Sequence, residues 1–395
     1  MSRNGVYITE RDGMAVVKLD SGYNIGVPPN TCRFISRPEP GTAKQHEVLQ
    51  NKSLPDLAIV STGGTIASRI DYRTGSVTSQ FNASDILTAI PELKEIANYR
   101  TIPLATILSE NMTPDIWQEL ARAVYEEIRN GAGGVIVTHG TDTMGYSAAA
   151  LSFMIDTPVP VIFVGSQRSA DRPSSDNTMN AVCAAAAATS GLGEVAVVMH
   201  ATTSDDTCAI HRGTRVRKMH TSRRDAFQSL GIEPIGEVGY PSRKVTLKKD
   251  AVQRGTHDLA LHNALDPHCA LIQSYPGMTP DLLNAYEGYH GIIIAGTGLG
   301  HTSTTLIPQL KVLNDQGALI VMTSQCMHGR VCDRVYDTGR DLLSAGVIEG
   351  GNLLPEVALV KLMWVLGNEK DKMKAGQLMQ SDLKGECMPR SAHGL

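Results

Sequence analysis

The chain has 395 residues and a mass of 42.4 kDa, with 42% hydrophobic and 19% charged residues. That is enough apolar material for a large packed core and, at roughly 100–200 residues per domain, for two or three domains. A formal net charge of −4 and a pI near 6.3 exclude a global polyanion binder.

Seven cysteines, an odd number without CxxC spacing, argue against a disulfide framework, and twelve histidines include no HExxH pair. No metal centre is expected in this chain, and reduced thiols fit a reducing compartment. No apolar run approaches the length of a membrane span, and Met1 to Val6 carry no apolar leader core. The expectation is a soluble cytoplasmic protein with no membrane partner.

Gly5 to Glu10 and Met14 to Leu19 read as short strands around an Arg11-Asp12-Gly13 turn, with Tyr23 to Val27 as a third strand. They predict a small barrel-like β-module ending near Pro40. The polar, Pro/Gly-punctuated stretch from Pro38 to Pro55 predicts a linker.

From Asp56 the pattern alternates between β and α. Leu57 to Val60 is an apolar strand running into Ser61-Thr62-Gly63-Gly64-Thr65. Thr113-Pro114-Asp115 is a helix start, with a Thr cap, Pro at the first helical position and an acid behind it. Ile116, Leu120, Val124 and Ile128 then recur every four residues, and Asn130-Gly131 ends the helix. Gly134 to Val137 runs into His139-Gly140-Thr141-Asp142, and Val159 to Val164 into Gly165-Ser166-Gln167. An Ala-rich helix covers 176–189, and Glu194 to Met199 runs into His200.

Cys269 to Gln273, His290 to Ala295 and Ala318 to Met322 are strands of a second β/α unit, and Glu356 begins a final helix. The expected fold class is α/β with parallel sheets. Its expected divisions are 1–50 (β-module and linker), 51–262 and 263–395 (two α/β domains).

Ligands of such sheets bind beyond the carboxyl ends of the strands, where these small polar residues fall. The paired glycines of Thr62-Gly63-Gly64-Thr65 let backbone approach a ligand and leave the Thr65 hydroxyl outward. No GKS/T follows, so this is not a P-loop. Thr141-Asp142 supplies a second hydroxyl beside a carboxylate. Either cluster alone also fits an ordinary helix cap.

A threonine hydroxyl is a weak nucleophile and needs a base. The run Arg215-Val216-Arg217-Lys218, with Arg223 and Arg224, offers five cations. Spacing does not choose among them, although only lysine readily gives up its proton. Gly296-Thr297-Gly298-Leu299-Gly300 misplaces the third glycine of a dinucleotide fingerprint and reads as a tight turn. His139 and His200, each at a strand end, read as structural.

The ordered motifs TGGTIA (from Thr62) and HGTDTM (from His139) resemble the two signatures of the L-asparaginase family, over about Leu57 to Leu366. The resemblance implies a large N-terminal and a small C-terminal α/β domain. It makes Thr65 the nucleophile, with Thr141, Asp142 and Lys218 as the activating set. It gives substrate-binding roles to Gly64, Ser109, Glu110 and Tyr72, with Glu110 standing where the family has glutamine.

The N-terminal module, the loop from Thr65 to Gly75 and the run from Lys218 to Phe227 resemble, more closely, the asparaginase-like subunits of archaeal glutamyl-tRNA(Gln) amidotransferases. That implies ammonia release from glutamine or asparagine for a partner, the E subunit of the amidotransferase, which converts Glu-tRNA(Gln) to Gln-tRNA(Gln). No cofactor is implied in this chain, with ATP and Mg at the partner. A homodimer core within a heterotetramer is implied. The rivals are a free-standing cytosolic L-asparaginase, which has no evident need of the N-terminal module, and a catalytically idle scaffold, which need not keep Thr65, Thr141, Asp142 and Lys218 together.

Overall fold

The computed structural model describes residues 5–11, 13–19, 24–33, 51–63, 69–70, 77–78, 86–87, 89–169 and 174–390. Near the N-terminus, β1 (Gly5–Arg11), β2 (Met14–Leu19) and β3 (Asn24–Val27) form an antiparallel sheet in that order. Gly13 turns β1 into β2 at φ 73°, a conformation glycine adopts without strain.

The main sheet has eight strands. They are β4 (Asp56–Gly63), β5 (Asn98–Ile107), β6 (Val135–Thr138), β7 (Val161–Val164), β8 (Val195–His200), β9 (Thr207–Arg212), and two further strands. A small hairpin of β10 (Val216–Lys218) and β11 (Phe227–Ser229) precedes that last pair, β12 (Gly236–Gly239) and β13 (Val245–Leu247). The spatial order is β13-β12-β9-β8-β7-β6-β4-β5. The five strands from β8 to β5 run parallel, and β9, β12 and β13 extend the sheet antiparallel.

The helix announced by Thr113-Pro114-Asp115 sits where its pattern and cap place it. In α1 (Pro114–Arg129) the Thr113 hydroxyl accepts from the Ile116 N–H at 3.4 Å, and Leu120, Val124 and Ile128 are buried. Trp117 takes the buried place at the first turn, and its indole donates to Ser147 at 2.8 Å. The helices α2 (Met144–Met154) and α3 (Asn177–Ala188) are apolar almost all round, as befits helices enclosed between layers. The alanines of α3 cover one face of the sheet, while α1 and α2 cover the other.

A second, all-parallel sheet runs β14 (Cys269–Gln273), β15 (Gly291–Gly296), β16 (Leu319–Ser324) and β17 (Ile348–Glu349). It is flanked by α4 (Ile307–Asp315), α5 (Asp337–Ser344), α6 (Pro355–Asn368) and α7 (Lys372–Gln380). Residues of α2 and α6 share one hydrophobic cluster, which joins the two sheets.

The mixed α/β reading and its parallel strands hold. The long strand β5 and the antiparallel strands β9, β12 and β13 go beyond what the sequence pattern announces, and the polar C-terminal stretch contains α7. Among the described residues no helix is long and apolar enough to cross a membrane.

Candidate active site

Parallel β5, β4, β6 and β7 are neighbours, so their carboxyl ends open on one edge of the sheet. Ser61 pairs in register with Thr138, and the Thr138 hydroxyl donates to the Ser61 hydroxyl at 3.1 Å. Thr62 in turn donates to the Thr138 carbonyl at 3.0 Å. These buried bonds fasten the exits of β4 and β6 side by side. The chain leaves β4 through Gly63 at φ 107°, a left-handed conformation that favours glycine.

Beyond β6 the backbone packs tightly. A methyl on Gly140 would meet the Ser109 side chain at 2.7 Å, and one on Gly165 would meet the His139 carbonyl at 2.7 Å and Thr141 Cγ2 at 2.9 Å. Glycine at both positions lets the loops after β5, β6 and β7 converge. The Thr143 hydroxyl donates to the Ser109 carbonyl at 2.6 Å, fixing the short turn Ser109–Asn111 against the second signature. Ser109 is buried there and Glu110 is exposed.

Lys218 arrives from the end of β10, paired with Phe227 across the hairpin. Gly145 lets the start of α2 approach this strand, since a methyl there would lie 3.1 Å from the Val216 carbonyl. The Lys218 ammonium donates to Thr141 Oγ1 at 2.9 Å and to Asp142 Oδ1 at 2.6 Å. Thr141 is buried and Asp142 exposed. A half-open ion pair of this kind adds little to stability. Its value is chemical: a hydroxyl held against an amine whose position a carboxylate fixes.

The other four cations are engaged elsewhere. Arg215 is buried and donates to the Asn352 carbonyl at 2.8 Å. Arg217 lies 3.5 Å from Glu356 and donates to the Met327 sulfur at 3.1 Å. Arg223 pairs with Asp225, and Arg224 with Asp205 and the Thr203 carbonyl. Of the five cations, Lys218 is the one in contact with Thr141 and Asp142. Of the sequence-derived site residues, Thr65, Gly64 and Tyr72 lie outside the described residues.

Two further polar groups, which sequence reasoning does not single out, support this edge. Buried Asp176 accepts from the Ser166 hydroxyl at 2.8 Å and from the Gln167 and Arg168 N–H groups at 2.9–3.1 Å, and so shapes the loop after β7. Its only sequence signal is a carboxylate at a helix start. Asn180 links Asp176 to His200, whose Nδ1 lies 2.5 Å from the amide oxygen. His139 is fully buried with its Nδ1 2.7 Å from the Gly140 carbonyl, and burial pushes its pKa down to about 4. Both histidines are built into the scaffold. The Gly296–Gly300 segment is a tight turn closed by Thr297 and His301, with Gly298 and Gly300 at positive φ.

Family models for "Asparaginase, N-terminal" and "Glutaminase/Asparaginase C-terminal domain" match residues 56–253 and 268–379. The glutamyl-tRNA(Gln) amidotransferase D subunit of Methanosarcina barkeri is 54% identical over 97% of this chain and 94% of its own. That of Halobacterium salinarum is 53% identical over 99% and 95%. The chain belongs to the family of glutamyl-tRNA(Gln) amidotransferase D subunits, on an asparaginase scaffold.

Solved structures agree on the scaffold. The thermostable L-asparaginase from Thermococcus kodakarensis superimposes with a TM-score of 0.76 at 32% identity, covering 84% of this chain and 99% of its own. L-asparaginase I from Vibrio cholerae gives 0.73 at 27% identity, covering 85% and 99%. The D subunits therefore match a larger share of this family member than the asparaginases do.

Proposed function

We propose that this chain is the ammonia-releasing subunit of a tRNA-dependent amidotransferase. The Thr65 hydroxyl attacks the side-chain amide carbon of glutamine or asparagine. Lys218, oriented by Asp142, takes up a proton through the Thr141 hydroxyl, and the amide nitrogen leaves as ammonia after protonation. Water then hydrolyses the acyl-threonine ester, giving glutamate or aspartate and restoring the hydroxyl. Backbone N–H groups of the first signature, Gly64 among them, stabilise the oxyanion, an effect worth roughly 2.7–4 kcal/mol per donor. Ser109 and Glu110, with Tyr72, hold the substrate's carboxylate and amino groups.

The observation that carries this reading is the contact of Lys218 with both Thr141 and Asp142, from an element remote in sequence from the second signature. The ammonia passes to a partner, the E subunit, which uses ATP and Mg to activate Glu-tRNA(Gln); this chain itself needs no cofactor. A homodimer core within a heterotetramer, in the cytoplasm, completes the proposal.

The likeness to L-asparaginases over 84% of the chain favours a second reading, a free-standing asparaginase. Ammonia release from L-glutamine and L-asparagine, measured with and without the partner, ATP, Mg and Glu-tRNA(Gln), separates the two. Slow release that rises sharply with partner and charged tRNA supports the amidotransferase. Fast asparagine hydrolysis indifferent to the partner establishes the free enzyme instead.

A further inference from the structure

At the opposite end of the second sheet's strands, a group of side chains has no part in amide hydrolysis. His268 immediately precedes β14 and His290 immediately precedes β15, and these two strands pair in parallel register from Cys269 and Gly291 onward. The His290 N–H donates to the His268 carbonyl at 2.9 Å, which holds the two imidazoles next to each other with ring centroids 5.2 Å apart. Asp266 lies between them. Its Oδ2 is 2.7 Å from His290 Nδ1, and its Oδ1 is 3.7 Å from His268 Nδ1. One donor atom from each residue falls within 4.8 Å of the other two.

An ordinary surface ion pair needs one histidine and one carboxylate. Here two imidazoles turn the same ring nitrogen toward the two oxygens of one carboxylate. Protonating both rings sets two like charges side by side, whereas a cation bound to both lone pairs satisfies all three groups at once. The backbone holds the set in place before any ion arrives. The His268 N–H donates to Asp266 Oδ1 at 3.0 Å, and the Asp266 N–H donates to the Met363 carbonyl of α6 at 2.8 Å. Only the exposed rings, at 66% and 58% side-chain exposure, need to rotate. Bonds of ~2.0–2.1 Å at tetrahedral angles place ligand atoms roughly 3.3 Å apart, so the 2.7 Å contact opens slightly while the wider spacings close.

We propose that Asp266, His268 and His290 bind one divalent transition-metal ion of the zinc class. Two imidazoles and one carboxylate suit zinc, cobalt or nickel rather than magnesium or calcium, which take mostly oxygen ligands. Cys269 is buried in the core against Gly291 and contributes no thiolate. Water completes the coordination from the exposed side. The ion fastens together the segment that enters β14, the start of β15 and, through Asp266, helix α6. Its effect is therefore on the stability of the second domain rather than on the chemistry at Thr141. No sequence motif signals the site, because the two histidines stand far apart along the chain and only strand pairing unites them.

Chelator-treated full-length protein, titrated with cobalt(II) by visible absorption and with zinc(II) by calorimetry, tests this. The expected result is one equivalent per chain with a dissociation constant in the micromolar range or tighter. His268→Gln and His290→Gln each weaken binding at least tenfold and abolish the zinc-dependent rise in Tm, while metal-free Tm and ammonia release stay at parental values. Asp266→Asn, which keeps the acceptor for the His268 N–H, gives the same loss should a histidine variant fail to fold. Stoichiometric binding undiminished in these variants, or no saturable binding below about 100 µM, overturns the proposal.

Discussion

The Lys218 ammonium donates to the Thr141 hydroxyl across 2.9 Å, although 77 positions separate the two residues in sequence. A hairpin strand and a parallel-strand exit have to be assembled before that contact exists. The same ammonium lies 2.6 Å from the exposed Asp142 carboxylate.

Removing this amine is expected to remove the chemistry and spare the fold. General-base catalysis contributes typically ~10²–10⁴-fold. Lys218→Ala and Thr141→Val should each lower single-turnover ammonia release by about that range, and Lys218→Ala should leave Tm nearly unchanged because the ion pair is half-open. Lys218→Arg keeps a cation beside Asp142 but does not take up a proton at neutral pH. If Lys218→Arg releases ammonia at the parental rate, the amine serves only as a charge and the proton-transfer role is wrong.

How much of this is legible in the sequence follows from where each element takes its instructions. Helix α1 is readable because its cap, its Pro and its apolar period are all local. The short parallel strands into His139 and Gly165 are readable because they are buried on both faces and so apolar throughout. Strand β5 is not: it is an edge strand, carries Pro103, and most of its residues are only partly buried, so no alternation marks it. Strand β9 hides its identity behind buried His211 and Arg212, whose partners lie elsewhere: Ser229 for the histidine, Glu194 and Asp250 for the arginine. The signatures point to Thr65 and Thr141 only through their resemblance to a family. Which of five cations lies against Thr141 is a question of tertiary geometry.

Gly140 tests how the Ser109–Glu110 turn, proposed above to hold substrate, is kept in place. A Cβ at this position would overlap the Ser109 side chain at 2.7–2.9 Å and press on its backbone N at 3.3 Å. Gly140→Ala should displace the Ser109–Glu110 turn, at a cost of about 1–3 kcal/mol in stability. The kinetic signature expected is a rise in KM for glutamine larger than the fall in kcat. Unaltered KM and Tm would mean the turn yields without consequence for substrate.

The buried Asp333 carboxyl should give the protein a pH-dependent stability. Both of its oxygens lack a hydrogen-bond partner among the described residues. Burial, with the Glu349 charge adding to it, raises its pKa from 3.8 to about 7. A folded-state pKa above the unfolded one contributes stability that is full below the unfolded value and is lost as pH rises through the folded one. Parental Tm should therefore fall between about pH 4 and pH 7 from this group, with roughly 4 kcal/mol as the upper bound. Asp333→Asn should flatten that slope and gain most at pH 8. A slope identical in parent and variant would remove Asp333 from the account.

The last expectation concerns Lys361 and Glu386, an ion pair with neither side chain exposed, 2.6 Å apart. Lys361 also donates to the Met379 carbonyl at 3.2 Å and to that of Ser381 at 2.5 Å, while Glu386 accepts from the Leu383 N–H at 3.0 Å and from that of Lys384 at 2.6 Å. The pair thus clamps the chain after α7 onto α6. Burial alone would raise the Glu386 pKa, but the Lys361 ammonium and the backbone donors outweigh it and hold the carboxyl below its ordinary range. A depressed folded-state pKa contributes stability that is present above the unfolded value and lost as pH falls through the folded one. Below about pH 4 the clamp should weaken. Lys361→Met at neutral pH leaves a buried carboxylate without its counter-ion and should cost about 3–5 kcal/mol, whereas Lys361→Met with Glu386→Leu should cost much less. Urea unfolding of the single and double variants measures the difference. Equal losses in both would show that the tail is held by its packing rather than by the charge pair.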